Sequence, residues 1–529
     1  MGACRYQGRK DRIMPRANRR VRSRTLPVKM LLASTVVMLW GTTMSHAADV
    51  TDYPSLVEHA RALATKPYEP RQVELPPALQ GLDYDAYRDI RFRPAKALWR
   101  GADLPIEAQF FHLGLYYDTP VEINLLTADG VRRVDYSTDL FDYGSNPTPT
   151  DIDKSMGFSG FRLHYPLNRD DYKDELIIFH GASYFRALGA GQWLGLSARG
   201  LAIDTGERSG EEFPAFTRFW IEWPRRDAHQ FRIYALLESE NVTGAYSFLV
   251  TPGDSTQTRV EATLFRRGEF AKLGIAPLTS MFHYGEEVPR PSNDFRPEVH
   301  DSDGLLIHAG DEWLWRGLVN PAQLSINAFQ AKQLHGFGLM QRDRDFTNYQ
   351  DLEAHYHLRP SAWIEPIGDW GEGSVELVQI PTKNEVNDNI VAYWRPKDGL
   401  SADKPLHVKY IIHWQHDELA GPEYGRVIST RIARSNNPEG NHRYVIDFSG
   451  TELNALPEDA QVSADVSFPP HFVVAEQIAF RNRETGGWRL VIRGKLKPDA
   501  EKPAELRARL VGAEQKAMSE VWTYTEPAS

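Results

Sequence analysis

The strongest constraint in this sequence is alternation. In Leu406-His407-Val408-Lys409-Tyr410-Ile411-Ile412-His413-Trp414, the apolar set 406, 408, 410, 412 and 414 falls on one side of an extended chain, because successive strand side chains point to opposite faces. Such a segment has a face to bury and needs a second layer to bury it against. Arg489 to Arg493, Leu506 to Leu510, Phe231 to Leu237, Ala245 to Val250 and Val391 to Trp394 read the same way. Helical spacing is scarce: Leu56, Ala60, Leu63 and Ala64 make one stripe, and Asp85 to Ile90 suggests a second, short helix. The chain is therefore expected to be all-β.

One segment interrupts the pattern. Arg395 to Pro405 is polar, with Pro396 and Pro405 near its ends and Gly399 inside, a composition that favours a loop or linker. It predicts a boundary: a large antiparallel β-sandwich over 48–395, a linker over 396–405 and a smaller sandwich over 406–529. Neither an internal repeat nor a low-complexity tract is evident.

The first residues read as a leader. Nine or more Lys and Arg residues precede an apolar run from Leu31 to Trp40, and Ser45-His46-Ala47 follows with small residues at a cleavage site. That order marks a secretory signal peptide over 1–47, and the run is too short for an ordinary membrane span. Arg19-Arg20 begins a poor twin-arginine signal, so the general secretory route is expected; Met14 and Met30 offer later starts. Residues 1–47 hold 10 of the 61 Lys+Arg and 1 of the 71 Asp+Glu, which leaves 51 basic against 70 acidic residues, a formal charge of −19. A surface that acidic repels phosphate backbones and anionic lipid, so a neutral ligand is expected and nucleic acid is not. The single cysteine, Cys4, lies in the leader. Disulfides, zinc-thiolate sites and a cysteine nucleophile are excluded from the remainder.

Generic catalytic motifs fail on spacing. Gly189 to Gly195 misses the dinucleotide loop by one residue, no Walker lysine occurs, and Gly195 to Gly200 misses the nucleophile elbow. His355 and His357 would share one side of a strand, without a nearby third metal ligand. No metal and no cofactor is expected. What remains is carboxylates among aromatics, the materials of glycoside chemistry, which needs an acid for the leaving oxygen and a base for water. One cluster runs from Arg296 through Glu298, His300, Asp301 and Asp303 to Trp313, Trp315 and Arg316. The other runs from Asp343 through Tyr349, Asp351, Tyr356, Arg359, Trp363 and Glu365 to Glu385 and Asp388. The ordinary reading of such residues is turn aspartates, ion pairs and core aromatics, and Asp388 looks like a turn aspartate before a strand.

Longer stretches carry a resemblance. Gly181 to Arg186, Gly195 to Thr205, Glu211 to Pro214, Gly274 to Phe282, His300 to Asp303, Gly336 to Leu339 and Asn387 to Val391 occur in this order over most of the chain, and together they resemble the MdoG/OpgG family of periplasmic glucan biosynthesis proteins. The resemblance implies a large N-terminal β-sandwich with a smaller immunoglobulin-like β-sandwich after it, and a role on osmoregulated periplasmic glucans with β-1,2-linked backbones. It also implies similarity to β-1,2-glucanases, with Asp388 as general acid and Asp301 on the base side. The location implied is the periplasm, the partner a β-1,2-glucan polymer, with a membrane glucan synthase nearby. Glucan is expected to lie near Trp313, Tyr356, Arg359 and Trp363, whose rings and donors suit a sugar's CH and OH surfaces. The alternative is a non-catalytic factor that binds and guides the glucan.

Overall fold

The computed structural model describes residues 50–528, apart from 72, 151–152, 417–420, 423 and 435–439. The leader expected over 1–47 lies outside the described residues.

The alternating segments are strands. Leu406–Gln415, Phe231–Glu238, Val242–Thr251, Ile390–Pro396, Trp488–Leu496 and Ala504–Val511 all form where the periodicity put them. In Leu406–Gln415, Val408, Tyr410, Ile412 and Trp414 are buried while His407 is exposed, as one-sided packing requires. The two helical readings also hold. Tyr53–Ala64 opens on a capping box, with the Asp52 carboxylate accepting from the Ser55 N–H at 2.9 Å and the Ser55 hydroxyl oxygen accepting from the Asp52 N–H at 3.1 Å. Its Leu56 and Ala60 pack on Trp220, Leu236 and Phe265. Tyr84–Asp89 is the second helix.

The protein is all-β, built on two large sheets. One has ten strands and runs from Glu107–Phe111 through Gly160–Arg169, Tyr172–His180, Tyr184–Ala187, Ser197–Arg199, Leu273–Ser280, Ile390–Pro396 and Gly373–Gln379 to Ser325–Ala331, with Leu201–Ile203 paired beside Leu273–Ser280. The other has fourteen, with Leu406–Gln415 between Thr256–Arg266 and Ser361–Pro366. Their inner faces share one core. Phe179, Phe185, Phe216, Phe219 and Phe248 meet there edge to face or stacked at 5.1–6.3 Å, geometries that suit the ring quadrupole.

The domain boundary differs from the sequence expectation. Residues 396–405 do not separate two domains, because Leu406–Gln415 is an interior strand of the fourteen-stranded sheet, and Tyr410, Ile412 and Trp414 lie in the main core. The Pro-bounded segment is a loop that carries the chain from one sheet of the large sandwich to the other. A turn between sheets and a linker between domains need the same residues, so composition did not separate them.

The smaller sandwich begins after that strand. Arg426–Ala433, His442–Ser449, Trp488–Leu496 and Phe472–Arg481 form a four-stranded sheet. Ser463–Ser467, Ala504–Val511 and Val521–Glu526 form the second layer and continue the fourteen-stranded sheet. The junction is a parallel pair, Leu314 opposite Val521 and Trp315 opposite Trp522. A second core there takes Leu306, Trp315, Met340 and Trp363 from the large unit and Tyr444, Leu490, Leu506 and Trp522 from the small one. No helix among the described residues is long and apolar enough to cross a membrane.

Candidate functional site

The ten-stranded sheet turns its apolar residues inward and leaves a polar outer face. Phe185, Ala187 and Ala198 enter the main core, so Tyr184, Arg186 and Arg199 face the other way by strand alternation. Arg199, only 6% exposed, pairs with Glu211 at 2.6 Å, and the Thr205 hydroxyl donates to the same carboxylate at 2.6 Å. Its guanidinium lies 4.7 Å from the centre of the Tyr184 ring and 5.5 Å from that of Phe213.

Asp301 and Asp388 are close enough to act on one another electrostatically. Asp301 follows the short strand Val299–His300, and its N–H donates to the Met281 carbonyl at 2.8 Å. Its side chain is buried and accepts from the Arg359 guanidinium. Burial raises its carboxyl above the ordinary range, Arg359 opposes the rise, and the charge of Asp388 adds to it. Asp388 is exposed, in the loop leading to Ile390–Pro396. Asn389 anchors that loop: its N–H donates to the Ser280 carbonyl at 3.1 Å, and its side-chain oxygen accepts from the Phe282 N–H at 2.8 Å. Asp388 also acts electrostatically on Tyr184 and Arg199. Of the two aspartates, one is buried beside a cation and one is open to solvent.

Tyr356 and Arg359 join them. The Arg359 guanidinium lies 4.3 Å from the centre of the Tyr356 ring, and its Nε donates to the Ala354 carbonyl at 3.0 Å. The Tyr356 hydroxyl donates to Glu385 at 3.3 Å. Burial raises this phenol far above its usual value, so it remains a donor. Gly195 makes room for the arrangement: a Cβ there would stand 2.8 Å from the Cβ of Arg359.

Trp313 and Trp363 are elsewhere. Ala362 and Ile364 enter the main core, so Trp363 between them points to the opposite face of its sheet. There its ring stacks on Trp313 at 5.7 Å, and both pack into the core shared with the C-terminal strands. The expectation that these two tryptophans line the site is corrected; an aromatic in an alternating strand has two faces to choose from, and here the choice is a core. His355 and His357 are also not on a strand. His355 has φ of 48° and begins a 3-10 turn over Tyr356–Leu358, with its ring 4.1 Å from that of Trp193.

Tyr184, Arg186 and Arg199 share this outer face, with Glu211 paired to Arg199, and residue type alone does not single them out in the sequence. Their signal was present: all four sit in stretches that carried the family resemblance, and Tyr184, Arg186 and Arg199 occupy outward positions of short strands.

A separate acidic cavity of about 20 Å³ lies between the two units, lined by Glu286, Glu287, Glu298, His300, Asp303 and Asp343 among others. It has room for about one water, not a sugar. Donor atoms of Glu298, His300 and Asp343 lie within 4.8 Å of one another. Both ring nitrogens of His300 are engaged, with Gln341 and Glu298 at 2.9 Å, so the group as arranged shares protons and does not present three free metal ligands. Burial raises the carboxyls of Glu286, Glu287, Asp303 and Asp343, and neighbouring carboxylates raise Glu287 and Asp343 further. A carboxyl whose pKa is raised by folding stabilises the fold below its unfolded value near 4, and that stability is lost as pH rises through the folded value. Asp343→Asn is therefore expected to raise the melting temperature at pH 7.5 and to change it little at pH 4.5. Thermal unfolding of both proteins across that range checks the sign.

This fold defines an all-β protein whose ten-stranded sheet has an outer face furnished with aromatic, cationic and carboxylate groups. The chain belongs to the family described as periplasmic glucan biosynthesis protein, MdoG, whose model matches residues 52–526. Among solved structures it is similar to the GH36 alpha-galactosidase AgaA from Geobacillus stearothermophilus in complex with raffinose, at 9% identity, covering 48% of this chain and 39% of that one, with a TM-score of 0.23.

Proposed function

We propose that this protein is a glycoside hydrolase or transglycosylase of the β-1,2-glucan backbone, working in the periplasm after loss of residues 1–47. The observation that supports the reading is the chain of contacts from the Asp388 loop, through Glu385, Tyr356 and Arg359, to the buried Asp301. Asp388, exposed, protonates the departing glycosidic oxygen. Asp301, held by Arg359, takes up the proton of the attacking water or sugar hydroxyl through an intervening group. A membrane glucan synthase supplies the polymer.

The pair with Arg359 also favours a second reading. A carboxylate already bound to a guanidinium has less capacity left for a proton, which suits a binding factor that guides glucan without cutting it. Incubating the purified protein with linear β-1,2-glucan and separating the products decides between the two. Shorter or rearranged chains support the enzyme; intact polymer that nonetheless binds supports the guide.

A further inference from the structure

One arginine ties together the segments that carry the two aspartates. Arg296 reaches three carboxylates from three parts of the chain. It donates to Asp294 in its own loop at 2.8 Å and to Asp351 at 3.0 Å, and it pairs with Glu385 at 2.7 Å. Asp351 lies at the start of the segment that delivers Tyr356 and Arg359. Glu385 lies three residues before Asp388, in the loop between Gly373–Gln379 and Ile390–Pro396. The Arg296 side chain is 14% exposed, Asp351 11% and Glu385 37%, so the bond to Asp351 is largely shielded from salt and the pair with Glu385 partly so.

The ends of the 381–389 loop are held without Arg296. Asn389 fixes one end, as described, and the Thr382 N–H donates to the Asn320 side chain at 2.9 Å at the other. Between them, Glu385 is held by Arg296 and by the Tyr356 hydroxyl. A continuous path of charge-assisted contacts therefore runs from the Asp388 loop through Glu385 to Tyr356, then to Arg359 and Asp301. Arg296 braces that path from outside. A guanidinium suits the task because its five N–H groups fan out in one plane and engage several carboxylates at once, which an ammonium on a flexible stem does less well.

We infer that Arg296 is a positioning residue that clamps the Asp388 loop to the Tyr356–Arg359 segment and so sets the separation of the two aspartates. The inference rests on the proposed catalytic reading for its consequence, though not for its geometry. Misplacing a catalytic group by about an ångström costs on the order of 10²-fold in rate.

The test uses Arg296→Gln and Arg296→Lys in the full protein, with two readouts. Turnover of linear β-1,2-glucan should fall by about 10- to 100-fold in Arg296→Gln and by less in Arg296→Lys, with KM changed far less than kcat. Hydrogen exchange should rise in 381–389 and 351–359 and stay unchanged in the strands of the main core. Glu385→Gln combined with Arg296→Gln should lose less turnover than the product of the two single losses, because the two changes remove one contact in common. Three results would overturn the inference: unchanged exchange at 381–389, wild-type turnover in a folded Arg296→Gln, or a rise in exchange spread over the whole molecule. A wild type that does not cleave the glucan overturns the proposed function instead, and the exchange readout then decides alone whether Arg296 clamps the loop.

Discussion

Asp388→Asn is expected to lower turnover of β-1,2-glucan by on the order of 10²–10⁴-fold, the range for loss of a general acid, while glucan binding and melting temperature barely move. Asp388 is exposed, and the amide keeps its size, so little folding energy is at stake. Asp301→Asn should behave differently. Its carboxylate is buried and is the acceptor for the Arg359 guanidinium, so the substitution weakens a shielded ion pair and should lower the melting temperature along with turnover. The roles can be separated by leaving group. A β-1,2-linked oligoglucoside of an acidic phenol needs no protonation as it departs, so the variant lacking the acid should recover activity on it and the variant lacking the base-side group should not. Burial raises the Asp301 carboxyl, which makes the exchange of roles a concrete alternative. Rescue of Asp301→Asn, and not Asp388→Asn, by the activated substrate would establish that exchange. Wild-type turnover in Asp388→Asn would remove it from the mechanism.

The elements were legible because their signal is local. Alternation at 406–414 and 231–237 and the stripe at 56–64 report on single strands and one helix, and each formed where it was read. The partnership of sheets is not local. Nothing within 396–405 says whether the chain is leaving a domain or crossing from one sheet to its neighbour; only the pairing of Leu406–Gln415 with Thr256–Arg266 and Ser361–Pro366 decides that. The site shows the same division. Asp388 and Asp301 come from motifs, while Tyr356 and Arg359 come from the same cluster as Trp363; of these, Arg359 contacts both Asp301 and Tyr356. Trp313 and Trp363 were chosen by residue type, and the face on which a strand presents its rings depends on which sheet face is already covered. Arg296 appeared in the sequence as one more charge in a cluster; its reach to Asp351 and Glu385 exists only in three dimensions.

The same non-local pairing predicts that the chain cannot be divided near residue 400 or after residue 424 without losing the large unit. A chain ending at residue 424 lacks the strand Val521–Glu526, which leaves Glu312–Gly317 as an open edge and an invitation to aggregate. It also bares Leu306, Trp315, Met340 and Trp363, which lie in the shared core, at roughly 1.5–3 kcal/mol for each large side chain returned to water. Arg342 loses its partner as well. It pairs with Glu520 at 2.6 Å, with side-chain exposures of 6% and 0%, and its guanidinium lies 3.7 Å from the centre of the Trp315 ring. Breaking a buried pair from one side costs about 3–5 kcal/mol. Together these losses rival the 5–15 kcal/mol that holds a typical domain folded. The shortened chain should therefore be insoluble or lack a cooperative thermal transition, whereas a few Gly and Ser residues inserted between Ala402 and Asp403, in the exposed part of the loop beyond the buried Leu400, should be tolerated. Expressing both and recording solubility and thermal unfolding gives the answer. A monomeric chain ending at residue 424 that melts cooperatively within a few degrees of the full protein would show that the shared sheet is dispensable and that the two units are independent after all.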